Sequence, residues 1–480
     1  MRELAEFFVH NVKRSGIKYG DIRLIDLKRE SITVKNGRIE NIVRASDIGF
    51  GVRVLHQGCW GFAASNIVTR AEIERIARLA MEIAAASATA KRKDVTLDDS
   101  PAESGAYATK VVKDPFEWAL EEKVAILFDW DKSMRGVAGI SNAVSTMDSF
   151  KEQQFFGSTE GAFIDQTITE TGAGIEAVAI KDGEMQRRCY PNSFRGQFHT
   201  GGWELIEPYK IGENAERVAS EAVMLLSAPE LPHAKTTIII EGAQLGLQVH
   251  ESIGHPIELD RVLGSEAAYA GMSFVTLDKL NTLKYGSDIM HVTADATLPG
   301  GLGSFGFDDD GVRAQRVDIV KDGMFRNYLT NREYSPVVKM RSNGTNRADG
   351  WNRAPIIRMT NINLEPGEWE LDALIADTDE GFWLETNKSW SIDDRRVNFQ
   401  FGCELAREIK GGKLGQVYKN PNYTGITTEF WGGMDAVCNR NHWTIWGTPN
   451  CGKGQPGQTA HVAHGTAPAR FRNVEVGVRG

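Results

Sequence analysis

The sequence predicts an α+β protein in which a mixed α/β N-terminal domain, residues 1–230, is followed by a β-rich C-terminal domain, residues 231–480, that carries a metal-site helix. Three observations indicate this organisation. The 480 residues exceed the length over which one hydrophobic core keeps growing. Segments with helical spacing of apolar residues lie almost entirely in the first half. The 49 glycines are many for a helical protein and indicate frequent turns.

The first half alternates helix-like and strand-like segments. Apolar residues recur at helical spacing over four ranges, 2–14, 70–87, 117–134 and 213–227. Alternating polar and apolar residues predict strands at 32–43 and 49–55, and a meander of short strands from about 137 to 190. This half is therefore expected to be mixed α+β.

Four short Gly-containing sequences lie between alternating segments and are typical of hairpin turns. Such turns need positive φ at their central residues, which Asn, Asp and Gly tolerate. Their spacing is irregular, so they indicate common hairpin chemistry and not a repeat architecture. They are Lys35-Asn36-Gly37, Lys181-Asp182-Gly183, Lys321-Asp322-Gly323 and Lys410-Gly411-Gly412.

The domain boundary is predicted near residue 230. There a helical pattern gives way to two prolines within LLSAPELPHAKTT, residues 225–237, and then to the strand-like TTIIIE. Beyond it strands are expected to dominate, apart from one helix-like segment at about 242–255.

Composition and charge exclude several classes of function. The net charge of −9, without a cluster of Lys and Arg, argues against a nucleic-acid partner, because phosphate binding needs a basic face. The apolar stretches are too short for a membrane span, and the N-terminal segment reads as an amphipathic helix and not as a signal peptide. Five dispersed cysteines indicate a reducing compartment, so a cytoplasmic location is expected.

The helix-like segment of the second half contains the motif HExxxH, with His250, Glu251 and His255. Neutral imidazoles are preferred nitrogen ligands of zinc, and a glutamate beside a ligand can take a proton from a metal-bound water. On a regular helix, two side chains that are five residues apart point in directions that differ by about 140°. We expect a widened, π-like turn, because Gly254 permits distortion and Pro256 disfavours helical dihedrals at His255. The alternative is a pair of hydrogen-bonded core histidines.

A catalytic zinc site typically has three protein ligands and an open position, so the motif needs a third residue from elsewhere. Cys451 stands out because it lies in the glycine-rich sequence WGTPNCGKGQPGQ, where the backbone can approach a metal closely. The alternatives are nearby carboxylates, distant histidines and the other cysteines, namely Glu258, Asp260, His461, His464, Cys59, Cys189, Cys403 and Cys438.

The sequence HESIGHPIELDRVLG resembles the signature of TldD-type peptidases in the TldD/PmbA family. Other segments agree with the family in the same order, and the similarity spans essentially the whole chain. They are GFGVRVL, WGFAAS, GLGSFGFDDDGVRAQR, DIVKDGMFRNYLTNR, NRAPIIRMTN and TPNCGKGQPGQTAHV. The segment SWSIDDRRVNFQFGCELAREIKGGKLGQVYKNPNYTGIT departs from the more glycine-rich version of bacterial members, which leaves substrate preference open.

The resemblance implies a cytoplasmic zinc metallopeptidase whose Zn²⁺ is held by His250, His255 and Cys451, with Glu251 as general base. It also implies peptide substrates, namely unfolded peptides, small proteolytic fragments or precursor peptides. The expected assembly is a heterodimer with a PmbA-like, TldE-type subunit that lacks the metal motif. Three alternatives remain: a non-catalytic zinc-binding subunit with a closed four-ligand site, a hydrolase of other amides, and a scaffold with a vestigial motif. Neither the acidic loop Asp308-Asp309-Asp310 nor Arg358, a candidate for a substrate carboxylate, is assigned to the site.

Overall fold

A computed structural model describes residues 1–478 of the chain. Four long helices lie in the first half, as the apolar spacing predicts, and the shorter ones lie in the second half. The α-helices are α1 (Arg2–Arg14), α2 (Arg70–Ala88), α3 (Leu120–Arg135), α4 (Ile211–Leu225), α5 (Gly242–Val249), α6 (Leu259–Val262), α7 (Leu371–Ala376) and α8 (Thr427–Gly432).

The strands of the first half form one sheet in the order β3-β2-β1-β5-β6-β4, with β7 and β8 also paired to β6. The prediction of short strands between 137 and 190 is wrong, because β5 and β6 each run for 19 residues in continuous antiparallel register. These strands are β1 (Tyr19–Lys35), β2 (Arg38–His56), β3 (Cys59–Ser65), β4 (Ser104–Ala108), β5 (Ile140–Ser158), β6 (Phe163–Lys181), β7 (Glu184–Tyr190) and β8 (Gln197–Thr200).

The two faces of this sheet have different partners. On β1, Ile22 and Leu24 pack with α1 and α2, and Ile32 and Val34 pack with α3 and α4, so all four helices cover the same side. Residues of opposite parity, such as Arg23, face the second half of the chain. The N-terminal sheet therefore lies between its helices and the C-terminal half.

The four predicted hairpin turns are confirmed. Each joins two antiparallel strands, and its two central residues have positive φ, between +50° and +84°. The central pairs are Asn36-Gly37, Asp182-Gly183, Asp322-Gly323 and Gly411-Gly412.

The second half is rich in strands. Its strands are β9 (Ala234–Ile240), β10 (Val292–Asp295), β11 (Arg316–Lys321), β12 (Met324–Phe325), β13 (Asn346–Arg347), β14 (Ile356–Ile357), β15 (Ile362–Leu364), β16 (Glu380–Ile392), β17 (Asn398–Lys410), β18 (Lys413–Lys419), β19 (Asn422–Ile426), β20 (Met434–Val437), β21 (Thr444–Lys453), β22 (Gln458–Thr466) and β23 (Ala469–Val476). The prediction of an α+β chain with a β-rich second half is confirmed. The boundary near residue 230 stays a prediction.

A closed ring of strands organises this half and positions the site. β9, β23, β19, β17 and β16 each pair with the next, and β16 pairs back to β9. The HExxxH segment leaves the ring at the end of β9, and the β21–β22 hairpin that carries Cys451 enters the ring through β23. Because Ile240 pairs with Ala469, these two segments start side by side although they are distant in sequence.

Buried ion pairs join the two halves. The acidic loop of residues 308–310 is buried. Arg23 contacts Asp309 at 3.3 Å, and Arg53 contacts Asp310 at 2.8 Å. Within residues 1–478, no helix combines the length and the apolar character needed to cross a bilayer.

Candidate metal centre

The HExxxH segment is a buried helix that widens at its end. Glu241 caps α5 by accepting hydrogen bonds from the backbone N–H groups of Ala243 and Gln244. From His250 to Gly254 the backbone forms a π-helical turn, and the N–H of His255 donates to the carbonyl of His250. The predicted π-like turn is therefore confirmed. The extra residue in the turn brings positions five apart towards the same side of the helix.

A buried polar network holds this turn. The Ser252 hydroxyl donates to the Gln248 carbonyl at 2.6 Å and accepts from the Gln248 amide and the Trp431 indole N–H, at 3.1 and 2.9 Å. The Tyr285 hydroxyl donates to the Ser252 carbonyl at 2.5 Å. Side-chain hydroxyls thus donate to the backbone carbonyls of Gln248 and Ser252 and support the widened turn.

The expected reasons for the widened turn need correction. Gly254 has ordinary helical dihedrals, φ −57° and ψ −58°, so its conformational freedom is not used. Its missing side chain provides space, because a Cβ there would lie 2.1 Å from Sδ of Met359. His255 is also helical, with φ −65° and ψ −41°, although Pro256 follows it. The expectation that Pro256 moves His255 out of the helical region is wrong, since a short 3₁₀ turn continues to Ile257.

The structure brings His250, His255 and Cys451 together. Sγ of Cys451 lies 3.3 Å from Nε2 of His250 and 3.8 Å from Nε2 of His255. The donor atoms of all three residues lie within 4.8 Å of one another, and all three residues are buried. The register shift in the β21–β22 hairpin between Thr448 and Cys451 lies at this place.

These distances fit a tetrahedral metal ion. Zinc bonds of about 2.0–2.1 Å to nitrogen and 2.3 Å to sulfur, at a tetrahedral angle, separate nitrogen and sulfur by about 3.6 Å. The observed separations of 3.3 and 3.8 Å lie on either side of that value. Two imidazoles and a thiolate are also a donor set that favours zinc over magnesium or calcium.

Hydrogen bonds behind the two histidines fix which ring nitrogen is free. Nδ1 of His464 lies 3.2 Å from the Ile362 carbonyl and must donate to it, so Nε2 of His464 accepts from Nδ1 of His250 at 2.8 Å. Burial above all lowers the pKa of His464 well below its ordinary value, which keeps this ring neutral. Nε2 of His250 is thereby left with a free lone pair directed at the cluster.

His255 is oriented in the same way by a carboxylate. Its Nδ1 donates to Glu258 at 2.9 Å. Burial acts to raise the pKa of Glu258, but Lys453 and His255 bring it below its ordinary value, so Glu258 is an anion. Burial acts to lower the pKa of His255, but Cys451 and Glu258 raise it to about 9. Metal binding at Nε2 of His255 therefore requires release of a proton.

Cys451 lies beside a buried arginine. Burial acts to raise the pKa of its thiol, but His250, Arg358 and His255 hold this pKa well below its ordinary value. Nη2 of Arg358 donates to Sγ at 3.2 Å. Arg358 is thus a partner of the thiolate, which gives it an ordinary structural role and not contact with a substrate carboxylate. The site presents a preformed thiolate, the form of cysteine that binds metals.

Glu251 lies next to the cluster and is ionised. Burial acts to raise its pKa, but Arg396 above all, with His250 and His255, brings the pKa of Glu251 below its ordinary value. Nη1 of Arg396 forms an ion pair with Oε2 of Glu251, and the Trp390 side chain also faces this carboxylate. A buried, ionised carboxylate beside this three-residue cluster is suited to act as a base.

The other candidates for the third ligand are engaged elsewhere. Glu258 orients His255, Asp260 accepts from Lys453 at 2.7 Å, and His461 pairs with Glu170 at 2.6 Å. His464 lies behind His250. In the described part of the chain, none of these side chains belongs to the three-residue cluster.

Sequence reasoning missed Arg396, Lys453 and the orienting role of His464. Arg396 lies 145 residues from Glu251, and no local pattern connects them. One feature of the sequence points to this loop: the segment that contains Arg396 departs from the glycine-rich sequence of bacterial members.

Models of one family match along the chain. The PmbA/TldA metallopeptidase C-terminal domain matches residues 233–477, domain 1 matches 20–84 and the central domain matches 113–226. A metalloprotease of Methanocaldococcus jannaschii is 33% identical over 423 residues, covering 87% of this chain and 89% of that protein. A zinc metalloprotease TldD homolog of Saccharolobus solfataricus is 19% identical over 475 residues, covering 98% and 99%.

Solved structures share the fold. A putative modulator of a DNA gyrase from Thermotoga maritima superposes with a TM-score of 0.78 at 15% identity, covering 99% of both chains. TldE from Thermococcus kodakarensis superposes with a TM-score of 0.70 at 14% identity, covering 98% of this chain and 99% of that one. The matching family models cover more than half of the sequence, and the chain belongs to the PmbA/TldD family of metallopeptidases.

Proposed function

We propose that this chain is the catalytic, zinc-dependent member of its family and hydrolyses unfolded peptides or small proteolytic fragments. The observation that carries the proposal is the convergence of His250, His255 and Cys451 within 4.8 Å, with the ionised Glu251 beside them. Family membership supports a peptidase role, and the relatives are named metalloproteases.

His250, His255 and Cys451 would hold Zn²⁺. The fit of the nitrogen–sulfur separations supports this assignment, and one relative is named a zinc metalloprotease. Zinc bound there would supply Lewis-acid chemistry, which acidifies water and polarises a carbonyl group.

Glu251 would move the protons. As an anion beside the cluster, its carboxylate can take a proton from the attacking water and then give it to the leaving amine of the peptide. Burial keeps competing water away from this carboxylate. The chain thus contributes a base, Glu251, that directly follows the proposed ligand His250. The hydrogen bonds of Ser252 hold the turn that carries both residues.

We further propose that the active assembly is a heterodimer with a PmbA-like subunit. The structural likeness to a TldE protein is consistent with such a partner, because two chains of one fold can pair through equivalent surfaces. A cytoplasmic location accompanies this proposal, since the five cysteines are all free and buried.

The alternative is a non-catalytic zinc-binding subunit of a protease complex. The ion pair of Glu251 with Arg396 would then serve structure alone. The two functions differ in what Glu251→Gln does, because a structural site loses stability whereas a catalytic one loses turnover and keeps its metal.

The test combines metal content and cleavage. Elemental mass spectrometry of chain purified without added metal should find about one zinc per wild-type chain and per Glu251→Gln chain, and a clear loss in Cys451→Ala. With the partner subunit present, wild type should cleave unstructured peptides and Glu251→Gln should not. Cys438→Ala, a buried cysteine outside the cluster, is the matched control and should keep its zinc. Zinc retained in Cys451→Ala, or turnover retained in Glu251→Gln, would refute the assignment.

A further inference from the structure

The turn between β16 and β17 holds Arg396 at the candidate base. The Asp393 carboxylate accepts hydrogen bonds from the backbone N–H groups of Arg395, Val397 and Asn398. Arg396 itself has a left-handed backbone, with φ of +65°. The Asp393 carboxylate therefore holds the backbone of the turn, and the shape of the turn sets the direction of the Arg396 guanidinium.

A neighbouring segment fixes the same turn from the other side. The backbone N–H groups of Met272 and Phe274 donate to the carbonyls of Asp394 and Arg395, at 2.9 and 3.0 Å. The Thr427 hydroxyl donates to the Arg396 carbonyl at 2.7 Å. Arg396 is thus presented by a rigid support, as a group that recognises a ligand requires.

The guanidinium of Arg396 is only partly used by the protein. Nη1 pairs with Glu251, whereas Nε is buried without an acceptor and Nη2 donates to no acceptor within residues 1–478. The side chain keeps 13% of its surface exposed, more than the carboxylate of Glu251 that it pairs with. A buried donor without an acceptor is costly, and such groups mark places where a ligand completes the bonding.

The other cations around the site are more deeply buried than Arg396. Nε of Arg358 also lacks an acceptor, but this residue is only 1% exposed. Arg261 donates to Glu266 and to backbone carbonyls, Arg358 to Cys451, and Lys453 to Asp260 and the Ile357 carbonyl. Each of them is at most 5% exposed. Arg396 is therefore the cation at the candidate base that can accept an anionic partner from outside.

We propose that Arg396 binds a carboxylate of the substrate next to the scissile bond, either the C-terminal carboxylate of the peptide or the side chain of an Asp or Glu residue. This inference rests on the proposed peptidase function. An arginine donates to a carboxylate through strong, charge-assisted hydrogen bonds. The substrate carboxylate takes up the free donors of Arg396, and the ion pair with Glu251 weakens in return, which releases this base when a substrate is present.

The rim of the site is consistent with a peptide at this position. Trp390 is 47% exposed, packs edge-on against Phe194 and also faces Glu251. A groove of about 630 Å³ extends from Trp390 along Met185 and Lys388. A peptide that passes Trp390 thus has an open, partly apolar groove beside it.

The experiment compares matched peptides on the zinc-loaded chain with its partner subunit. One peptide ends in a free carboxylate, the second is its C-terminal amide, and two further amides carry Glu or Gln at the last position. In wild type we expect a KM at least about tenfold lower for one carboxylate-bearing peptide than for its neutral counterpart. A KM difference between the free acid and its amide indicates a terminal carboxylate, and a difference between the Glu and Gln amides indicates a side-chain carboxylate. Arg396→Met should abolish the difference, and Arg396→Lys should keep part of it.

Arg395→Met is the matched control, because it removes the same charge from an exposed neighbour in the same turn. It should keep the wild-type preference, and all variants should keep their zinc. Equal KM values for all peptides in wild type, or an unchanged preference in Arg396→Met, would overturn the inference and leave the proposed function intact.

Calorimetry with N-methylated peptides that resist cleavage gives a second readout. If wild type cleaves none of the peptides, the proposed function fails. Tighter binding of the carboxylate peptides, lost in Arg396→Met alone, would then still support the role of Arg396, and equal binding would refute it.

Discussion

Arg358 and Cys451 are joined twice through one nitrogen. Nη2 of Arg358 donates to the Cys451 carbonyl at 2.5 Å and to Sγ at 3.2 Å. One buried cation therefore fixes the backbone of the cysteine and also favours its thiolate. The arginine lies in the strand-like sequence IIRMTN, 93 residues before the cysteine.

Arg358→Met should weaken metal binding. Without this cation the pKa of the Cys451 thiol rises towards its ordinary value, so protons compete better with the metal. We expect a loss of affinity of about 10–100-fold at neutral pH, larger at lower pH, measured by competition with a chelator. Arg341→Met, which removes an exposed arginine, is the control and should bind metal as wild type does. An affinity loss independent of pH would contradict the explanation.

Ser252→Ala should destabilise the π-helical turn. The Trp431 indole and the Gln248 amide both donate to this hydroxyl, and the variant leaves these buried donors without an acceptor. We expect a loss of about 2–4 kcal/mol of unfolding free energy, measured by chemical denaturation. Ser227→Ala removes an exposed hydroxyl at the end of α4 and should change little. Equal stabilities of the two variants would refute the role of the network.

Gly254→Ala should be destabilising because of Met359 and not because of backbone strain. The new Cβ would lie 2.1 Å from Sδ of Met359, whereas the dihedrals of Gly254 suit any residue. We expect a loss of about 1–3 kcal/mol for Gly254→Ala. The double variant Gly254→Ala/Met359→Ala should lose less unfolding free energy than the sum of the losses of the two single variants, because Met359→Ala makes room for the new Cβ. Additive losses would show that the backbone needs glycine.

Glu152→Gln should change how stability depends on pH. Burial, with Asp309 and Glu170, raises the pKa of Glu152 to about 7. The folded chain therefore binds a proton more strongly than the unfolded chain, and stability falls as pH rises from about 4.5 to 7. The variant lacks this fall, so its melting temperature should exceed that of wild type at pH 8, by the equivalent of at most about 3 kcal/mol. The advantage should vanish near pH 4.5, and a difference constant with pH would contradict the assignment.

The sequence predicts the fold class and half of the candidate site for a physical reason. His250, Glu251 and His255 lie within one turn, so their spacing and Gly254 contain the information about that turn. The four hairpin turns are local in the same sense.

The remaining contacts depend on tertiary structure. The family resemblance implies Cys451 as the third ligand, whereas the residues alone leave eight other candidates open. Arg358, Arg396 and His464 approach the site from three different elements, and their roles follow from the closed ring of strands, which no single segment encodes. The strands β5 and β6 are longer than expected because polar residues continue the sheet where their other face meets the second half of the chain.

The pairing of β9 with β23 joins segments that are made at different times during synthesis. His255 leaves the ribosome 196 residues before Cys451, which corresponds to about 10–40 s of translation. During that time both imidazoles exist without the thiolate that completes their cluster. If these three residues hold a metal as proposed, their donor set is complete only after the β21–β22 hairpin has emerged, and a chain truncated before residue 451 would lack the thiolate.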